Sequence, residues 1–228
     1  MPQHIVAIGG AGLGEPLMVD YFLRLSGKPR PRVLYLPTAS GDAQQYVLAF
    51  YEGLAPFECK PSCLPLFFRR AEDLAPVILE KDVIYVGGGN TANMLAVWRL
   101  HGVDKLLAQA WEQGTVLCGA SAGSLCWFEC GITDSFGLQL ATLRDGLGFL
   151  AGSNCPHYDS ETRRRPVYTQ AVATGFPAGY AADDAVGLHF EGRELREAVS
   201  ARASGRAFRV EARDGAAAET AVPVRYLG

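Results

Sequence analysis

The chain has 228 residues, 49% of them hydrophobic and 20% charged, with a formal net charge of −3. This is ordinary globular composition, long enough for a substantial core. The densest basic cluster is Arg163-Arg164-Arg165, too short for a nucleic-acid footprint, and no apolar run approaches the roughly 18 residues of a membrane span. Neither nucleic acid nor a membrane is therefore an expected partner.

The opening run MPQHIVAIGG enters a strand pattern at once, without a basic region before a long apolar stretch. No signal peptide is expected, and the chain reads as cytoplasmic and soluble. The six cysteines include two pairs at C-x3-C spacing, Cys59 with Cys63 and Cys126 with Cys130, which suits zinc poorly. Reduced, mostly buried thiols are the expectation.

The first two-thirds repeats one theme. HIVAIGGAG and PRVLYLPTASGD read as buried strands ending in small residues, and KPSCLPLFF as a weaker third, interrupted by Pro65. KDVIYVGGGN and GTVLCGASAG are the fourth and fifth. Between them, DAQQYVLAFYEGL, TANMLAVWRLHGV and VDKLLAQAWEQG have helical periodicity. Short apolar strands alternating with helices imply βαβ units and a parallel sheet covered on both faces. After about Leu140 the pattern changes: GYAADDAVGLHFEGREL, RAFRVEARDG and AVPVRYLG read as antiparallel strands, and ETRRRPVYTQAVA as a helix with Pro166 in or near its first turn. No linker divides the chain, so residues 1–228 are read as one α/β domain.

In such a sheet the C-terminal strand ends lie together, and ligands bind in the crevice beyond them. Gly9-Gly10, Thr38-Ala39-Ser40, Gly87-Gly88-Gly89-Asn90 and Gly119 to Gly123 all fall there. In the last, Gly119-x-Ser121-x-Gly123 between a strand and a helix fits a nucleophile elbow: small neighbours allow a sharp turn that projects the serine oxygen. The plainer alternative makes Ser121 a helix N-cap.

A serine nucleophile needs a base, usually histidine. Of the four histidines, His4 begins the first strand at the end away from the crevice, His101 closes a helix before Gly102, and His189 lies within a strand. His157, in NCPHYD, follows a proline that stiffens its loop, and is the candidate base. For the acid that orients it, Asp184 of the Asp183-Asp184 pair is favoured over Asp134, a turn residue in GITDSFG. Backbone amides at Ala122 and at Gly88 or Gly89 are the candidate oxyanion hole. The GGGNTANML run lacks the spacings of a phosphate loop, and no two histidines have metal-ligand spacing, so no metal site is expected.

Taken together, YVGGGNTANMLAVWR, GASAGSLCWF, CPHYDSETRRR and YAADDAVGLHFEG resemble the peptidase E family, the α-aspartyl dipeptidase-like serine peptidases related to cyanophycinase. The resemblance runs from Ile5 to about Glu191. It implies a flavodoxin-like sheet similar to class I glutamine amidotransferases, with a C-terminal antiparallel extension. It also implies hydrolysis of short peptides in the cytosol, without metal or organic cofactor. Ser121 matches the family nucleophile and His157 its base. The acid maps to Asp184 by likeness to cyanophycinase and near Asp134 by likeness to the aspartyl dipeptidase. Arg163, with Arg164 and Arg165 as alternatives, stands where the family carries an arginine that could pair a substrate carboxylate. The flanks differ here, DSETRRRP against G-E-T-R-E, so preference for an N-terminal aspartate is left open, as is assembly, with a homodimer one option. The alternatives are a peptidase or amidase of other specificity, carboxypeptidase-like or cyanophycinase-like, and a non-catalytic relative that only binds ligand.

Overall fold

The computed structural model describes residues 2–69 and 71–228. The five early runs form β1 (His4–Ile8), β2 (Arg32–Leu36), β3 (Lys60–Cys63), β4 (Val83–Val86) and β5 (Val116–Ala120), all parallel in the spatial order β1-β5-β4-β2-β3. Along β1, β2, β4 and β5 the buried side chains alternate between the two faces of the sheet. Ile5, Ala7, Leu34, Leu36, Ile84, Val86 and Leu117 join one apolar cluster, while Val6, Ile8, Val33, Tyr35, Val83, Tyr85, Val116 and Cys118 join another. A strand buried on both sides is what a continuous apolar run requires. Helices α1 (Pro16–Leu25) and α2 (Gln44–Leu54) cover one face through Met18, Phe22, Phe50 and Leu54. Helices α3 (Ala75–Leu79), α4 (Thr91–His101) and α5 (Val103–Glu112) cover the other through Ile78, Met94, Trp98 and Leu107. Each large apolar side chain so buried stabilises the fold by roughly 1.5–3 kcal/mol.

Local chemistry sets the breaks. Asn90 caps α4 by accepting the Asn93 amide at 2.8 Å, and Gly102, left-handed at φ 72°, ends it. The weak third strand stops before Pro65, and its Pro61 is tolerated because β3 is the sheet edge. The six cysteines are free; five are buried and Cys63 is partly so.

The later part carries the expected antiparallel strands, divided between two sheets. Strands β10 (Val186–Glu191) and β11 (Glu194–Ser200) form a hairpin that adds to β1, with β14 (Val224–Tyr226) parallel to β11. A second, six-stranded sheet is built from β6 (Phe128–Thr133), β7 (Ala141–Leu143), β8 (Leu150–Cys155), β9 (Gly179–Ala182), β12 (Ala207–Arg213) and β13 (Ala216–Val222). The run YAADDAVGLHF is thus two strands in two sheets, and the chain crosses between them at Asp183-Asp184-Ala185, where Ala185 is left-handed at φ 63°. Helix α7 (Arg164–Ala173) packs on this second sheet through Tyr168 and Val172. Among the described residues no helix is long and apolar enough to cross a membrane.

Candidate active site

Strand β5 runs into α6 (Ala122–Leu125) through Ser121, whose φ of 59° and ψ of −113° form a sharp elbow. A side chain is disfavoured in that conformation, so the surroundings must enforce it. They do so by crowding. A Cβ on Gly119 would lie 2.6 Å from both the Gly123 and Val86 carbonyl oxygens, and one on Gly123 would collide with the Val86 carbonyl. Only glycine lets β5, α6 and β4 meet here. The Ser121 amide donates to the Ile8 carbonyl at 3.1 Å, and the Ser121 carbonyl receives the Ser124 and Leu125 amides, so Ser121 stands at the N-cap position of α6, but its side chain makes no capping hydrogen bond.

His157 follows β8, and its amide donates to the Gly9 carbonyl at 3.2 Å. Ser121 and His157 are therefore held by adjacent carbonyls at the end of β1. His157 is also left-handed, at φ 56°. Its Nδ1 lies 2.7 Å from Asp184 Oδ1, with the side chains 20% and 19% exposed, so this is a partly desolvated pair. The Asp184 amide in turn donates to Asp159 Oδ1 at 2.8 Å. Asp183, on the opposite side of the crossing, is buried and bonds Arg206; burial raises its carboxyl above the usual range while Arg206 opposes the rise. Among the described residues the Ser121 hydroxyl has no hydrogen-bond partner, and contacts of this kind tighten on substrate binding in many enzymes.

The Gly88 backbone packs on the nucleophile, since a Cβ there would sit 3.3 Å from Ser121 Cβ. Gly89 has φ 135°, and a Cβ would strike the Ala39 carbonyl, so a side chain is excluded twice over. The Gly87 and Asn90 amides bond Leu36 and Ala39, whereas those of Gly88, Gly89 and Ala122 have no acceptor among the described residues. Three free amides thus border the serine.

Beside them lies a pocket of about 220 Å³ lined by Gly89, Asn90, Ser121, Asp134, Ser135, Glu161 and Arg164. Asn90 ties its walls together, donating through Nδ2 to the Ser135 carbonyl at 2.9 Å. Asp134 lines this pocket, while the carboxylate bonded to His157 is Asp184. The arginine on the pocket is Arg164. The sequence expectation had favoured Arg163, whose Nη2 reaches the Leu138 carbonyl at 3.2 Å on the exposed side. Arg165 is bound to Glu219. Arg164, 3% exposed, donates to Glu161 Oε2 and to the Ile132 carbonyl, each at 2.7 Å. The helical register carried the signal: Arg164, Tyr168 and Val172 are spaced by four and share the buried face of α7.

The remaining histidines lie elsewhere. His189 is buried on β10 between His4 Nδ1 at 3.0 Å and the Tyr21 hydroxyl at 2.6 Å, and burial pushes its pKa down to about 4. Among the described residues no cluster of metal-ligating side chains is present.

A glycine-framed serine elbow at the end of a parallel sheet, with a histidine–carboxylate pair behind it, is the arrangement of a serine hydrolase. Residues 5–198 match the model of peptidase family S51. The chain is 48% identical to the uncharacterized peptidase YgaJ of Bacillus subtilis (strain 168), covering 99% of this chain and 100% of that protein. It is 25% identical to Peptidase E of Pasteurella multocida (strain Pm70), covering 79% of each. The crystal structure of a peptidase from an acI-B1 Actinobacterium superposes with a TM-score of 0.72 at 14% identity, covering 98% of this chain and 95% of that one. A putative peptidase E protein from Listeria monocytogenes EGD-e gives 0.62 at 19% identity, covering 85% and 96%. The chain belongs to peptidase family S51, with the class I glutamine amidotransferase-like fold of peptidase E structures.

Proposed function

We propose that this peptidase is a serine exopeptidase acting on short peptides through Ser121, His157 and Asp184. The observation that carries the reading is the 2.7 Å pair of His157 and Asp184, suspended from the same strand end as the elbow serine. Ser121 Oγ attacks the scissile carbonyl as His157 Nε2 takes its proton. Asp184 accepts the Nδ1–H and stabilises the imidazolium. The tetrahedral oxyanion forms against the amides of Ala122 and of Gly88 or Gly89. His157 then protonates the leaving amine, and water hydrolyses the acyl-enzyme by the same steps in reverse.

The pocket supports exopeptidase action. Asp134 has no ion-pair partner among the described residues and faces the space beside the nucleophile, where it suits a substrate α-ammonium. Arg164 donates through Nε to Glu161 and through Nη1 to the Ile132 carbonyl, while its Nη2 makes no hydrogen bond among the described residues. That nitrogen suits a carboxylate oxygen, so preference for an N-terminal aspartate would rest on Arg164 in place of Arg163. Substrate is thus a small peptide with a free amino terminus. Ser121→Ala abolishes turnover of a dipeptide library while leaving the melting temperature within a few degrees; retained turnover sinks the reading. Equal hydrolysis of peptides with a blocked amino terminus would favour the amidase or carboxypeptidase-like alternative.

A further inference from the structure

The family model ends at residue 198, yet the chain beyond it returns to the site. Tyr158, next to His157 and 4% exposed, donates its hydroxyl to the Glu219 carboxylate on β13. The same carboxylate receives Arg165 Nε at 3.0 Å and Nη2 at 2.6 Å. The Arg165 guanidinium lies 5.4 Å from the Tyr158 ring centroid and 5.0 Å from that of Phe208 on β12. Arg206 lies over the same Phe208 ring at 5.9 Å. Its amide and its Nε both reach Asp183 Oδ2 at 3.1 Å, and its carbonyl receives the Asp183 amide at 3.0 Å. Asp183 precedes Asp184. One continuous chain of contacts therefore runs from the neighbour of the histidine, through the β12–β13 hairpin, to the neighbour of its carboxylate.

We propose that this hairpin is a positioning brace for the His157–Asp184 pair, gripping Tyr158 through Glu219 and Asp183 through Arg206; the proposal rests on the reading of that pair as base and orienting acid. A brace is needed because His157 sits in a left-handed conformation that a loop alone does not favour. Glu219 and Tyr158 lie outside the substrate pocket, so their loss acts on the pair's geometry and not on substrate affinity.

The test uses Glu219→Ala and Tyr158→Phe in the full chain. Each lowers kcat about tenfold with KM unchanged, as expected for a small misplacement of a catalytic group. The double variant is no worse than Glu219→Ala, because both changes cut one connection. The low-field proton resonance of His157 Nδ1–H, bonded to Asp184, moves or broadens in both. Tyr158→Phe removes a single oxygen, and decides the matter if Glu219→Ala does not fold. Wild-type kcat, or an unmoved resonance, in the folded variants overturns the brace. Turnover retained by Ser121→Ala would undo the functional reading instead, and the resonance would then decide the brace alone.

Discussion

Gly10 gives the sharpest test of the site. A Cβ built there would lie 2.6 Å from His157 Cε1 and 2.7 Å from Nδ1, and closer still to Asp184 Oδ1. Ordinary contact begins at 3.4 Å, so in Gly10→Ala the imidazole must retreat by about 0.8 Å. The backbone cannot yield instead, because the Gly9 carbonyl holds the His157 amide at 3.2 Å and the Gly10 carbonyl holds the Ala185 amide at 3.0 Å. A displacement of this size costs about 10²-fold in kcat, roughly 2.7 kcal/mol of transition-state stabilisation. Overpacking one methyl costs about 1–3 kcal/mol of stability, a fall in Tm of about 2–12 °C for a chain of this size. The assay is turnover of a dipeptide pool and labelling of Ser121 by a fluorophosphonate, read beside thermal melting. Gly14→Ala is the control, since a Cβ there meets nothing within 4 Å. Wild-type turnover in a folded Gly10→Ala protein would refute the assignment of His157 and Asp184.

The two acids separate by kinetics. Asp184→Asn lowers kcat by about 10²–10⁴-fold, as loss of the orienting carboxylate does in serine proteases, whereas Asp134→Asn raises KM with kcat within a few fold; the reverse pattern would exchange their roles. The buried His189 makes the fold acid-sensitive. Its pKa falls from 6.5 unfolded to about 4 folded, so the unfolded chain binds more protons in that window; stability present above pH 6.5 declines as pH falls toward 4. The decline is at most about 3 kcal/mol. His4, Tyr21, Glu197, Glu191 and Arg196 are the charged or titratable groups that bear on it, and urea titrations across that range should lose most of the slope in His189→Gln. Thr38→Val strands the buried Trp98 Nε1–H, now 3.0 Å from Thr38 Oγ1, and costs about 1–3 kcal/mol in denaturant unfolding without changing kcat.

The parallel core was legible because four of its five strands are largely apolar and end in small residues. The second sheet was not, for reasons its residues display. β8 reads LAGSNC, with Ser153 and Asn154 fully buried: Ser153 bonds the Tyr168 hydroxyl at 2.7 Å, and Asn154 bonds Ser124 behind the elbow at 2.7 Å. Burial there is earned by partners distant in sequence, which no local pattern announces. The same holds at Asp183-Asp184. Alternation along a single strand would put adjacent carboxylates on opposite faces, but both lie where the chain leaves one sheet for another, and only tertiary structure directs Asp184 to His157. The elbow and the histidine loop were readable from glycine and proline placement; the pocket arginine required the phase of α7 as well.

Two residues of the proposed machinery, Ser121 and His157, occupy backbone wells where glycine is at ease and a side chain is strained by about 1 kcal/mol or more. Directed evolution of this scaffold for heat tolerance alone would therefore drift toward glycine at both positions and return sturdy, inert variants. Any such programme has to screen turnover in the same round as melting.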